Sequence, residues 1–131
     1  MKGYVANIED LTMENRDFRH VLYTSHHLQL VLMSLERGEE IGIETHKSRD
    51  QFFRIEKGKG KIVIDGTAHK VKSGDAILVP AGAEHNLVNT GRNRLKVYTI
   101  YGPPNHRDGV IERKKADAEA SSEHFDGKTT E

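Results

Sequence analysis

Between residues 18 and 101 the chain alternates between short apolar segments and turns, and this pattern limits the possible folds more than any other feature. The segments are rich in β-branched and aromatic residues, which favours strands. The predicted strands span 18–24, 28–35, 41–46, 51–56, 61–65, 68–71, 76–79, 87–89 and 95–101. Many short strands at regular spacing, joined by glycine-containing turns, are typical of an antiparallel sandwich or barrel. We therefore predict an all-β domain.

The dipeptide Asp65-Gly66 is the strongest single turn signal in this region. Both central residues of a type I′ turn need positive φ, and Asp-Gly is one of the sequences that tolerate it. The dipeptide therefore predicts a β-hairpin in which the chain returns at 68–71.

The apolar run 28–35 has one competing interpretation, an α-helix. In a helix Leu28, Leu32 and Leu35 would share one face, but Val31 and its apolar neighbours would wrap around to the others. A strand buried on both faces accounts better for a run that is apolar nearly throughout.

The flanking segments differ from the strand-rich centre. We predict an N-terminal segment at 1–17, a barrel at 18–104 and a charged C-terminal tail at 105–131. Residues 10–15 can form a helical turn, and 114–120 predicts a short helix. We expect the remainder of 110–131 to be a frayed appendage rather than a binding arm.

The composition argues against several classes of protein. Twenty basic residues balance twenty acidic ones, so no overall positive field favours nucleic acid. No apolar run approaches the ~18–20 residues that a membrane-spanning helix requires. Cysteine is absent, which removes disulfides and thiolate ligands, and residues 1–10 lack the apolar core of a secretory signal. We expect a cytoplasmic protein with neither nucleic acid nor membrane partners.

Two histidines, His46 and His85, lie where strand and turn signals meet, and they are the principal candidates for metal ligands. Residues two apart in a strand point to the same face, so Glu44 projects beside His46. The strand that begins at Gln51 can bring an amide oxygen to the same place. The alternatives are ordinary histidines of a β-domain, a Glu44 paired with a nearby cation, and a Gln51 that hydrogen-bonds a metal-bound water or a substrate.

The residues around these candidates carry weaker expectations. Phe53 is expected to point inward with Gln51, whereas Glu84, next to the ligand candidate on its strand, is expected to face outward. The spacing of Tyr98 and Tyr101 allows at most one of them to line the interior. The remaining histidines are expected to be exposed, although His106 could fold over a barrel mouth.

Taken together, these segments resemble the paired motifs of the cupin superfamily. The second family motif has glycine, proline, glycine, histidine and asparagine at one spacing, and the chain matches each position with Gly74, Pro80, Gly82, His85 and Asn89.

The first family motif matches less completely. Gly38, His46 and Gly58 are in place, but Glu44 stands where the family has its first histidine. Gln51 likewise stands where the family has a glutamate. Compared with the family's ligand set, these two replacements leave the total charge of the ligands unchanged, because one carboxylate has moved from the second strand to the first.

The resemblance implies an antiparallel jelly-roll barrel that holds one divalent ion, which could be iron, manganese, nickel or zinc. The ligands would be Glu44, His46, His85 and Gln51, with Glu44 also available as a catalytic base. Two functional classes follow. One is a metal-dependent enzyme acting on a small polar molecule, either an isomerase of the sugar-phosphate type or a dioxygenase. The other is a non-catalytic module that binds a small ligand or metal. The resemblance also implies a homodimer, with 28–35 as possible interface.

Overall fold

The structure is a computed structural model that describes residues 2–131, and it is built mainly of β-strands. The helices and strands in chain order are α1 (Ile8–Glu14), β1 (Arg19–Thr24), β2 (Gln29–Leu35), β3 (Glu44–Thr45), β4 (Asp50–Lys57), β5 (Lys59–Ile64), β6 (Thr67–Lys72), β7 (Ala76–Val79), β8 (Glu84–Asn89), β9 (Leu95–Gly102), β10 (Ile111–Glu112) and α2 (Lys115–Ala120). Within residues 2–131, no helix has the length and apolar character needed to cross a bilayer.

The strands form two antiparallel sheets that face each other. The larger sheet has six strands in the order β10-β1-β2-β9-β4-β7, and the smaller has four in the order β3-β8-β5-β6. Neighbours that are far apart in sequence, such as β2 with β9, close the sheets into a jelly-roll barrel. The predicted all-β fold with a short C-terminal helix is confirmed.

Most of the predicted strands lie where the sequence pattern places them. The run 28–35 is a strand and not a helix, and it is buried at nearly every position because it lies centrally in the larger sheet. The predicted hairpin is also present. Asp65 and Gly66 both adopt positive φ, at 46° and 82°, and join β5 to β6.

The predicted strand 41–46 is shorter than expected, since only Glu44–Thr45 pairs as a strand. Gly42 adopts a φ of 108°, which breaks the extended conformation, and its N–H donates to Asn86 Oδ1 instead of joining a regular ladder. Upstream of this break, Glu40 makes an isolated bridge to Val88.

The core lies between the sheets and consists of the inward-facing side chains of the longer strands. On β4 the alternation places Gln51, Phe53 and Ile55 inside, as the period of two requires. One end of this interior is mainly aliphatic, with residues such as Leu35 and Leu95 at 0% exposure. The other end carries polar groups, and the candidate site is there.

The segments outside the barrel are attached to it. Helix α1, capped by the Asn7 side chain, packs on the outer face of the larger sheet across β2, β4 and β9. The expectation that residues 110–131 form a frayed appendage was wrong. β10 pairs with β1, Val110 is buried in the core, and the Thr130 N–H donates to the Thr24 carbonyl.

Candidate metal centre

Strand β3 and the residue that follows it carry two of the predicted ligands on one side. Glu44 and His46 flank Thr45, whose side chain is exposed, while both ligand candidates are half-buried. The Nε2 atom of His46 lies 2.9 Å from Oε2 of Glu44. The short strand therefore presents a carboxylate and an imidazole together, as the alternation predicts.

The third predicted ligand, His85, lies on the neighbouring strand. Glu44 and His85 are direct partners in the antiparallel β3–β8 ladder. His85 is 4% exposed, and the centre of its ring lies 5.4 Å from that of His46. Glu84 is exposed on the opposite face, as expected. Strand pairing thus brings together residues that are far apart along the chain.

The donor atoms of Glu44, His46 and His85 all lie within 4.8 Å of one another. Bonds from zinc to nitrogen or oxygen are about 2.0–2.2 Å, so donors that share one ion lie about 3–4 Å apart. Small side-chain rotations bring the three donors to that separation. Two imidazoles and a carboxylate suit iron(II) or catalytic zinc, so the residues fit a divalent metal.

Gln51 reaches the same place from the opposite sheet. Its Oε1 lies 3.1 Å from His85 Nε2, and its Nε2 donates to Thr99 Oγ1 at 3.0 Å. The other ring nitrogen of His85 lies 3.1 Å from the Ala83 carbonyl oxygen. A neutral imidazole has only one N–H, so with the amide in this orientation one of these two contacts pairs two acceptors. A cation shared by His85 Nε2 and Gln51 Oε1 is one arrangement that removes the conflict, and an amide turned by 180° is another.

The charge state of Glu44 also suits a cation. Burial raises the pKa of its carboxyl, but the hydrogen bond and charge of His46, together with the charges of Arg19 and His85, outweigh this effect. The net pKa lies below the usual glutamate value. Glu44 is therefore ionised at neutral pH, which is the form that coordinates a metal.

A hydrogen-bonded group from the C-terminal tail adjoins these residues. The ring of Tyr101 packs edge-on against His46 with centres 5.6 Å apart, and its hydroxyl lies 3.2 Å from His106 Nε2. His106 Nδ1 lies 2.6 Å from Glu123 Oε1. The sequence analysis allowed His106 to fold over a barrel mouth, and the only indication was its position shortly after Pro104. Nothing in the sequence indicated Glu123.

A buried ion pair is a second feature that the sequence pattern did not indicate. Arg19 Nη1 lies 2.6 Å from Glu112 Oε1, and their side chains are 9% and 7% exposed. The pair joins β1 to β10 at a position where the two residues face each other in the ladder. Its guanidinium contributes to the low pKa of Glu44.

The weaker expectations hold for Phe53 and the two tyrosines. Phe53 is 1% exposed beside His85, and Tyr101 faces inward whereas Tyr98 is half-buried on the other face. Of the histidines expected to be exposed, His26, His27, His69 and His124 are exposed. The expectation was wrong for His20, which is half-buried on β1.

Comparison with known proteins gives a consistent result. The family model described as "Cupin domain" matches residues 31–101. The protein YrkC of Bacillus subtilis is 44% identical over 128 residues, which cover 93% of this chain and 69% of YrkC. The crystal structure of BH2720 from Bacillus halodurans has a TM-score of 0.90 at 44% identity and covers 92% of this chain and 96% of that one. Quercetin 2,3-dioxygenase of B. subtilis is 31% identical over 84 residues, or 63% of this chain and 25% of the enzyme.

Proposed function

This chain belongs to the cupin domain family, and on that premise we propose that it binds one divalent metal ion and acts with it on a small polar molecule. The ligands we propose are Glu44, His46 and His85, with Gln51 as the fourth. The convergence of three donor groups within 4.8 Å of one another carries the proposal.

The proposed chemistry follows from the donor set. A divalent ion held by two imidazoles and one carboxylate supplies a Lewis acid with open positions for water or a small ligand. Glu44 contributes its ionised carboxylate, and it can accept a proton from a bound ligand because it lies at the half-buried edge of the site. Gln51 holds a polar group of the ligand or the ion itself through Oε1, while Thr99 fixes the amide orientation.

Among possible reactions we propose a dioxygenase rather than an isomerase. The support is the similarity to quercetin 2,3-dioxygenase and a ligand set that matches the requirements of non-haem iron(II) oxygenases. A sugar-phosphate isomerase needs a phosphate anchor, and Arg19, the arginine whose charge acts on Glu44, already pairs with Glu112. The alternative is a non-catalytic module that binds metal or a small ligand.

Metal binding is tested first by elemental analysis after purification and after reloading with iron, manganese, nickel or zinc. We expect about one ion per chain in the wild type and a large loss in His85→Gln and Glu44→Gln, because each variant replaces one of the three strong donors by a weakly coordinating amide. His69→Gln is the matched control, since that histidine is exposed on the hairpin. A stoichiometry near zero under all loadings refutes the proposal.

Catalysis is tested by oxygen uptake of the iron-loaded and manganese-loaded protein, with quercetin as the first probe. A dioxygenase consumes oxygen in step with the probe, and Glu44→Gln slows this turnover beyond the fall in metal content. The non-catalytic alternative is supported instead if the loaded wild type turns over neither quercetin nor sugar phosphates.

We also propose a homodimer located in the cytoplasm. The outer face of the larger sheet carries an apolar row in which Leu30, Ile100, Phe52 and Leu78 are successive cross-strand partners. Leu78 is 73% exposed. A second copy of the chain is the proposed occupant of this row. Sedimentation tests it: Leu78→Glu is expected to yield a monomer if the wild type is a dimer, and a monomeric wild type refutes it.

A further inference from the structure

The C-terminal tail sends a carboxylate and an imidazole to the edge of the candidate metal centre. Glu123 and His106 are almost fully buried, with side chains 6% and 9% exposed, although they lie on loops. The buried Gln29 holds the backbone of this loop. Its Oε1 accepts from the N–H groups of Asn105 and His106, and its Nε2 donates to the His106 carbonyl. These three bonds hold the backbone from which the imidazole of His106 projects.

The contacts determine which nitrogen of His106 carries the proton. Burial lowers the pKa of this imidazole, and the hydrogen bond with Glu123 only partly offsets the effect, so the ring is neutral. Burial raises the pKa of Glu123, but its bonds with His106 and with the Arg107 N–H hold it below the usual value, so it is a carboxylate. A carboxylate accepts only, so Nδ1 of His106 donates to Glu123 and Nε2 is left as an acceptor.

This tautomer determines the direction of the Tyr101 hydroxyl. His106 Nε2 has no proton, and it lies 3.2 Å from the Tyr101 oxygen and 3.4 Å from Asn105 Nδ2. The phenol O–H is the nearer of these two donors, and we assign it the bond to Nε2. The lone pairs of the oxygen are then left for other partners, one of which is the hydrogen-bonded side chain of Gln51. Tyr101 lies directly across from Gln51 in the β4–β9 ladder and packs against His46, so its oxygen borders the proposed ligand site.

We propose that Glu123 and His106 are positioning residues that turn the Tyr101 hydroxyl into a hydrogen-bond acceptor facing the candidate site. Tyr101 then selects ligands that offer a donor at that point, which means a hydroxylated molecule or one with an N–H. The proposal rests on the proposed metal-binding function, because the ion is what holds such a ligand beside Tyr101. It also makes the C-terminal tail part of the site.

The direction of the hydrogen bonds is tested without metal by ¹⁵N NMR of the full chain. The imidazole nitrogen shifts of His106 are expected to show a proton on Nδ1 and none on Nε2. Glu123→Gln is expected to shift this equilibrium, since an amide can donate as well as accept. Glu119→Gln is the matched control, because Glu119 is exposed in the same tail and pairs only with Lys115. A proton on Nε2 in the wild type overturns the proposal.

The ligand preference is tested with the cobalt(II)-loaded protein, whose visible absorption reports binding. Glycolate and acetate serve as probes, since they differ by one hydroxyl. Tyr101→Phe is expected to raise the glycolate Kd about fivefold, the worth of one ordinary hydrogen bond, and to leave acetate nearly unchanged. His106→Gln is expected to change the glycolate Kd in the same direction. Tyr98→Phe, on the outer face of the same strand, is the control.

The outcomes separate this proposal from the proposed function. Equal effects of Tyr101→Phe on glycolate and acetate, in a protein that binds cobalt, overturn the role of Tyr101 and leave the metal centre standing. If the protein binds neither cobalt nor iron, manganese, nickel or zinc, the proposed function is refuted, and the ligand role of Tyr101 is refuted with it. The NMR result still decides whether Tyr101 donates to His106.

Discussion

Replacing Asn89 by alanine tests whether the last residue of the second motif supports the fold rather than the metal. Asn89 is 2% exposed at the end of β8. Its Nδ2 lies 3.0 Å from the Leu35 carbonyl oxygen, 3.1 Å from that of Glu36 and 2.9 Å from that of Asn93, and its Oδ1 accepts from the Gly91 N–H at 2.9 Å. One amide therefore joins the end of β2 to the turn before β9.

The expected loss follows from these contacts. The amide nitrogen shares two N–H groups among three carbonyl oxygens, and the amide oxygen accepts one more bond, so the side chain makes about three full hydrogen bonds. Each is worth about 1 kcal/mol net, and the contact with Leu35 is buried, so its carbonyl cannot turn to water without cost. Water can replace part of the others. We expect Asn89→Ala to lower the free energy of unfolding by about 2–4 kcal/mol.

Urea denaturation followed by circular dichroism measures this loss, with elemental analysis in parallel. Asn86→Ala is the matched control, because Asn86 is half-buried on the same strand and makes one bond, to the Gly42 N–H. We expect about 1 kcal/mol for the control. A loss below about 1 kcal/mol in Asn89→Ala, or lost metal with unchanged stability, refutes the reasoning.

Three further predictions concern the packing and the tail. Gln29→Leu removes four buried or partly buried bonds to Thr24, Asn105 and His106, and urea denaturation should show a loss of about 2–4 kcal/mol. Gly60→Ala should cost about 1–3 kcal/mol, because the new Cβ meets the Val88 carbonyl oxygen at 2.5 Å, whereas Gly91→Ala, with nearest contacts at 3.4 Å, should be tolerated. The pKa of His106 is lowered in the folded protein, whereas in the unfolded chain the imidazole has its ordinary pKa of about 6.5. As the pH drops through that value the unfolded chain binds more protons than the folded protein, so the free energy of unfolding falls. His106→Gln should make the decline between pH 7 and 5 shallower, and an unchanged slope contradicts the assignment.

The candidate ligands could be found from the sequence because their positions depend on local rules. Glu44 and His46 share a side of the chain through the period of two, and Pro80 and Gly82 mark the turn before His85. The antiparallel all-β fold follows from the same level of information, since strands and turns alternate along the chain, whereas the jelly-roll was predicted from the resemblance to the cupin motifs. The length of β3 could not be found this way, because Gly42 fits a strand pattern until its φ is known.

The sequence by itself determined the all-β architecture, the main strands and the identity of the candidate ligands, because apolar alternation and turn chemistry act between near neighbours. Only the tertiary structure decided that the C-terminal tail joins the barrel, with Glu112 paired to Arg19 and Glu123 to His106. Both are contacts between distant parts of the chain. A charged residue has the same local pattern whether water or a buried partner satisfies it, so only the folded arrangement distinguishes the two.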